Sequence, residues 1–267
     1  MRHFASGTKR SYYGKADVIA YRLDRATGTM FGANVTMLLY GDAFWTTYTT
    51  GDNTGLIATD SMKNFIQRET LNCDGSDLES YCGFLAAKFL FTYPQTEGVV
   101  VEALEVPYAG DGVFRPGGPE RAFARVEMRR EGVVELRSGI RGFKLLRLSG
   151  SSFQGFVRDQ YTTLPELADR PLHMWLDVEW TYTAAEDVAA HVREIIQDTF
   201  ANFESGSIQQ VIFKMGNRIL DELPGIAEVT LEANNRTWDR VAESGENLAV
   251  YTDPRPPYGV LGLTLRR

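Results

Sequence analysis

The chain has 267 residues, of which 43% are hydrophobic, 12% aromatic and 24% charged, a globular composition that excludes a disordered or collagen-like chain. With 28 basic against 35 acidic residues the formal net charge is −7, the wrong sign for tracking a phosphate backbone, so no nucleic-acid partner is expected. The most apolar stretch, residues 81–93, is shorter than the roughly 20 residues of a membrane helix and carries Lys88, so no membrane partner is expected either.

Alternating, β-branched and aromatic runs predict strands at residues 17–24, 30–39, 46–50, 98–107 and 121–128. Two helices interrupt this series. One begins at Thr59 or Asp60, both N-cap residue types, and puts Met62, Phe65 and Ile66 on one face. The next begins near Asp77 and aligns Leu78, Tyr81, Cys82, Leu85 and Phe89. The Gly- and Pro-rich residues 108–119 are expected to form a loop, and residues 149–152 a second irregular stretch.

From Ile140 the pattern starts again, with strands at 143–149 and 174–183. A helix from Ala185 aligns Val188, Val192, Ile195, Ile196 and Phe200, and a helix from Ser207 aligns Ile208, Val211, Ile212, Met215, Ile219 and Leu223. Strands follow at 228–233, 248–252 and 260–265. The chain reads as strands, two helices and strands, twice over, an α+β arrangement divided into 1–139 and 140–267. Antiparallel sheets with helices on one face leave the other face uncovered, which predicts a homo-oligomer.

Arg2, Lys9 and Arg10 have no apolar segment behind them, which argues against a secretory signal, and Cys73 and Cys82 alone make no disulfide framework. A reducing, cytoplasmic compartment is the expectation. His3, His173 and His191 form no Cys/His pattern at metal-ligand spacing, and neither G-x-G-x-x-G nor a P-loop occurs, so no metal or nucleotide site is expected.

Taken singly, the remaining polar residues are unremarkable in kind. Lys15 reads as a solvated lysine before the first strand, Thr59-Asp60 as a helix cap, and Arg170 as one half of a surface ion pair. Phe153 reads as core, Gln209 as a first-turn residue, and Asn234-Asn235 as turn chemistry at a strand end. Their combination carries more. Tyr13-Gly14-Lys15, Gly51-Asp52-Asn53, the run Ala58-Thr59-Asp60-Ser61-Met62-Lys63-Asn64, the run from Phe153 to Glu166, Asp169-Arg170, Ser207-Ile208-Gln209 and the closing Gly262-Leu263-Thr264-Leu265-Arg266-Arg267 resemble, in order and over nearly the whole chain, the urate oxidase (uricase) family.

The resemblance implies a tandem tunnelling fold, in which each half supplies an antiparallel sheet with two helices and the subunits close into a barrel-shaped homotetramer with sites at subunit interfaces. It also implies a cofactor-independent reaction in which urate, dioxygen and water become 5-hydroxyisourate and hydrogen peroxide. By motif, Arg170 and Gln209 are the planar clamp on the purine's polar edge, Phe153 the ring that stacks on it, and Ile208 a backbone contact. The residue types suit an anionic heterocycle: a guanidinium offers paired donors, an amide offers donor and acceptor, and an aromatic face holds a flat ring. Thr59-Asp60 and Ile208-Gln209 each open a helix, so unpaired N–H groups face the anion; the family draws the first pair, Asp60 included, from the adjacent subunit. Lys15 with Thr59 resembles the family's proton relay. Asn235, or its neighbour Asn234, corresponds to the residue that holds dioxygen or the attacking water.

The pattern breaks two residues after Asn235, where the family usually has a relay histidine and this chain has Thr237. A threonine passes a hydrogen bond but is no base near neutral pH. Residues 108–119 and 121–125 also depart from the family. An alternative therefore stands beside urate oxidation: oxidation of a different heterocycle, or binding without turnover as a sensor or assembly protein. Pteridine-modifying relatives of the same fold that use zinc need ligands this chain does not group. The ending Leu265-Arg266-Arg267 is not the Ser-Lys-Leu-type address of peroxisomal relatives, again an expectation of a cytoplasmic protein.

Overall fold

The computed structural model describes residues 11–75, 77–110, 112–184, 186–245 and 248–267, with residues 109 and 237 described by their backbone only. The chain separates into two compact units, one ending at Ser138 and the other beginning at Gly139. The first unit contains β1 (Tyr13–Asp24), β2 (Thr29–Tyr40), α1 (Trp45–Thr49), α2 (Thr59–Glu69), α3 (Leu78–Thr92), β3 (Gly98–Glu105), the short β4 (Tyr108–Ala109) and β5 (Arg115–Pro116), and β6 (Arg121–Arg129). Strand β7 (Gly132–Arg147) carries the chain into the second unit, which contains β8 (Leu172–Tyr182), α4 (Ala189–Asn202), α5 (Ile208–Glu222), β9 (Ile226–Thr237), β10 (Arg240–Ser244), β11 (Leu248–Tyr251) and β12 (Arg255–Arg266).

In the first unit β1, β2, β3 and β6 are neighbours in that order, each antiparallel to the next. Helices α2 and α3 cover one face. The expected stripes point inward: Met62, Phe65, Ile66, Tyr81, Cys82, Leu85 and Phe89 are buried against Val35, Met37, Val99 and Val101, at roughly 1.5–3 kcal/mol of burial for each large side chain. Asp77 caps α3 by accepting the Ser80 N–H at 2.7 Å, and Pro94 follows the last turn, where a helix cannot continue.

The second unit repeats the plan. Strands β8, β9 and β12 are antiparallel neighbours, and α5 lies on β9 and β12 beside α4. Val192, Ile195, Ile196 and Phe200 of α4 and Ile208, Val211, Ile212, Met215 and Ile219 of α5 are buried, as are Met174, Leu176, Val178, Val229, Leu231 and Ala233 of the sheet. This is the α+β architecture expected from the sequence, with antiparallel strands and two principal helices in each unit.

Several expected elements need correction. Residues 46–50, expected as a strand, fall in α1 and its C-cap Thr50: Thr49 and Thr50 hydroxyls donate back to the Trp45 and Thr46 carbonyls at 3.2 and 3.0 Å, local bonds that outweigh β-propensity. Lys15 lies inside β1, not before it. The loop at 108–119 contains the β4–β5 pair, and β10, paired with β11, was not expected at all. The expected strand at 143–149 is the later part of β7, and Asn234-Asn235 lie within β9, not at its end. The expected helix start, Ala185, lies outside the described residues; α4 begins at Ala189 with Val188 as its N-cap. The N-terminal segment holding Arg2, His3, Lys9 and Arg10 also lies outside them. Among the described residues no helix is long and apolar enough to cross a membrane.

Candidate active site

Lys15 owes its position to a break in β1. Lys15 pairs with Met37 and Val18 with Val35, three steps on β1 against two on β2, and within this bulge Asp17 has φ 56°. Directly paired residues share a face, and Met37 and Val35 are fully buried toward the helices. By plain alternation Lys15 would point away from the side that Val18 occupies; the extra residue returns it to the helix-bearing face. Gly14 is required here, because a Cβ would lie 1.9 Å from the Met37 carbonyl oxygen of the closely approaching β2.

Thr59 and Asp60 are not caps, as expected, but the first two residues of α2; Ala58 is the N-cap and supplies no side-chain bond. The Met62 N–H is the first to reach back, to Ala58 at 3.2 Å, so among the described residues the N–H groups of Thr59, Asp60 and Ser61 have no acceptor, leaving donors at the positive end of the helix. Asp60 accepts from Lys63 at 2.6 Å and Asn64 at 3.0 Å; Lys63 holds its carboxyl below the ordinary value and Lys15 adds a smaller pull in the same direction. Tyr13, next to Gly14, accepts the Ile57 N–H at 3.1 Å, which ties the start of β1 to the segment entering α2. The first unit thus places Lys15 on the helix-bearing face, within electrostatic reach of Asp60 at the start of α2.

The second unit gathers another group. Phe153 exchanges backbone bonds with Leu167 at 2.8 and 3.1 Å, and the Arg170 N–H donates to the Ser151 carbonyl at 2.8 Å. These ties place the Arg170 guanidinium 5.2 Å from the Phe153 ring centroid. Arg170 is not the surface ion pair that its residue type suggests. It is half-buried, desolvation holds its pKa below the ordinary guanidinium value, and its buried Nε has no partner among the described residues. Phe153 stacks face to face with Phe156, centroids 4.9 Å apart at 16°, so its ring presents a face to a flat neighbour.

Ile208 and Gln209 open α5, and Ser207 caps it, accepting the Gln210 N–H at 3.2 Å while the Gln210 side chain accepts the Gly206 N–H at 2.8 Å. Ser207 and Gln210 have the spacing of a capping box, a signal present in the sequence. Gln210 is thereby engaged, whereas Gln209 is exposed and its amide bonds no other group among the described residues. Asn235 pairs with Met174 on one side and Gly259 on the other. It shares the face of Leu231, whose side chain lies beside Gly216 of α5, while the pleat turns Asn234 to the opposite face with Trp175 and Val260. Thr237 is the last residue of β9, its backbone opposite Arg255. Asp169, which accepts from the Gly150 and Ser151 N–H groups at 2.8 and 3.2 Å, was singled out only as the neighbour of Arg170.

Residues 136–261 match the family model described as Uricase. The chain is 36% identical to a "Uric acid degradation bifunctional protein" of Bacillus sp. (strain TB-90), with 93% of this chain aligned but only 58% of that protein's length spanned. It is 35% identical to a uricase of Halalkalicoccus jeotgali, over 91% of this chain and 94% of that one. Among solved structures, a uricase from Bacillus fastidious superposes with a TM-score of 0.89 at 36% identity, covering 97% of this chain and 94% of its own.

Proposed function

This chain belongs to the uricase family, and on that premise we propose that it oxidises urate with dioxygen and water to 5-hydroxyisourate and hydrogen peroxide, without metal or organic cofactor. Atoms balance: one oxygen enters the ring as a hydroxyl from water, and dioxygen leaves as peroxide carrying the two electrons the ring has lost.

The observation that carries the reading is Arg170, a half-buried guanidinium with an unpartnered donor beside an aromatic ring. A half-buried cation with an unpaired donor among the described residues calls for an anion, and the ring beside it calls for a flat one. In this reading Arg170 and Gln209 hold the polar edge of urate, Phe153 stacks on it, the Ile208 N–H contacts it, and the N–H groups opening α2 at Thr59 and Asp60 face its far side. Lys15 and Thr59 move protons between the ring, water and peroxide, and Asn235 holds dioxygen or the attacking water. The site is assembled at subunit interfaces of a cytoplasmic homotetramer, with tunnelling-fold halves at 1–139 and 140–267; the exposed apolar alternation Ile19, Tyr21 and Leu23 on β1 supports association.

The test is aerobic incubation of the purified protein with urate, with chelator present and no flavin added, following urate absorbance and peroxide. Turnover is expected, and Arg170→Gln should raise KM on the order of 100-fold, the loss of charge-assisted bonds of about 2–3 kcal/mol. Absence of both oxygen and substrate loss with urate and a panel of oxidised purines would overturn it. The residue at 237 favours one second reading, an altered heterocycle or binding without turnover; it predicts Arg170-dependent urate binding with no peroxide.

A further inference from the structure

The candidate clamp residues of the second unit come from segments far apart in sequence, and a single half-buried side chain joins them. Arg147, the last residue of β7, donates through Nε to the Ser151 hydroxyl at 2.8 Å, through Nη1 to the Phe200 and Phe203 carbonyls at 3.1 and 2.6 Å, and through Nη2 to the Ser205 hydroxyl at 2.5 Å. Its guanidinium carbon also lies 5.2 Å from the Phe200 ring centroid. Every one of these acceptors is neutral, so the group works as a geometric fork more than as half of an ion pair.

The two serine acceptors lead to clamp elements, and the two carbonyls anchor the group to the end of α4. Ser151 is two residues before Phe153, and its carbonyl accepts the Arg170 N–H. Ser205 is two residues before the cap of the helix that begins with Ile208 and Gln209. Phe200 and Phe203 close the C-terminal end of α4. The two serine segments are stitched directly as well, Ser152 N–H to the Ser205 carbonyl at 2.8 Å and Ser205 N–H to the Gly150 carbonyl at 3.0 Å. Asp169 fixes the same turn from the other side through the Gly150 and Ser151 N–H groups.

We infer that Arg147 is the positioning residue of the clamp: by bonding Ser151 and Ser205 at once it sets the separation between Phe153 with Arg170 and Ile208 with Gln209, and so the width of planar anion the site accepts. It touches no ligand itself. This rests on the reading of those four residues as the urate-binding group.

The experiment compares Arg147→Lys, Ser151→Ala and Ser205→Ala with the wild-type protein in steady-state kinetics, urate binding and thermal denaturation. A lysine keeps the charge but cannot reach both serines. Arg147→Lys is expected to raise KM and the urate dissociation constant about 10-fold or more, with kcat within about 3-fold, because misplacement of a binding group by a fraction of an ångström is costly. The serine variants, each losing one bond, should show the same split at about 3- to 5-fold. A merely structural role would lower the melting temperature and the fraction of active sites, reducing apparent kcat while KM stays fixed; that result in the folded serine variants overturns the inference. Failure of the wild-type protein to bind urate is a different outcome, one that removes the urate reading and the inference with it.

Discussion

Lys15 carries the only amine near the opening of α2 to which the proposed chemistry assigns a proton-transfer task, and Asp60 registers its charge. Replacing it with Lys15→Met keeps the length and removes the proton. We expect kcat for urate to fall roughly 100- to 10,000-fold, the span usual for a lost acid–base group, with urate affinity unchanged within about 3-fold; a parallel loss of affinity would move Lys15 from proton transfer to binding. Position 237 is the complementary case. If the threonine there limits proton transfer, Thr237→His supplies a base with a pKa near neutrality and should raise kcat by up to roughly 100-fold, whereas unchanged turnover in stopped-flow assays would show that the relay already runs through another path. At this scale the residue types were legible and their surroundings were not. Arg170 looked like a surface cation; its burial and unpaired Nε follow from contacts with Ser151 and Phe153 across a long loop.

The bulge in β1 is the element on which the first group depends. Two-residue periodicity assigns Lys15 to the face opposite Val18, and the inserted residue at 16–17 reverses that assignment. Deleting Ala16 should restore regular pairing and turn Lys15 away from α2. The expected result is a folded protein with a melting temperature within a few degrees of wild type and kcat reduced as far as in Lys15→Met; full activity in the deletion variant would show that the bulge does not place the amine. Helices α2, α3 and α5 were legible because their apolar stripes recur at the helical period. Helix α1 was not, because its threonines satisfy local carbonyls in a way that a β-propensity reading cannot register. Strands β7 and β9 outran their expected bounds because they continue past the apolar alternation, where ladder pairing and not side-chain pattern decides their length.

For the whole molecule, β1 exposes Ile19, Tyr21 and Leu23 at 48%, 47% and 63% while Val18 and Ala20 on the other face are buried. An apolar row on an edge strand is a cost in a lone subunit and a contact in an assembly. Light scattering is expected to give four times the chain mass for the wild-type protein. Ile19→Asp, at a position about half exposed, should shift that mass downward and lower turnover together, since the proposed sites take Thr59 and Asp60 from a neighbour. A monodisperse lone chain with full activity would refute interface assembly.

The repeated strand–helix–strand plan is legible in the residues alone, because apolar periodicity is a local property that survives without knowledge of partners, and ordered motifs mark the family. The opening of α5 at residues 208–209 was legible through Ser207, a local cap signal, whereas Thr59 and Asp60 marked the start of α2 without being its cap. Long-range contacts settle which way Lys15 points, that Arg170 is desolvated against Phe153, that Asn235 and not Asn234 faces the helices, and that Arg147 joins the Ser151 stretch to residues 200–205. Each of these depends on register or on contact between distant residues, and neither quantity is written in any short stretch of the chain.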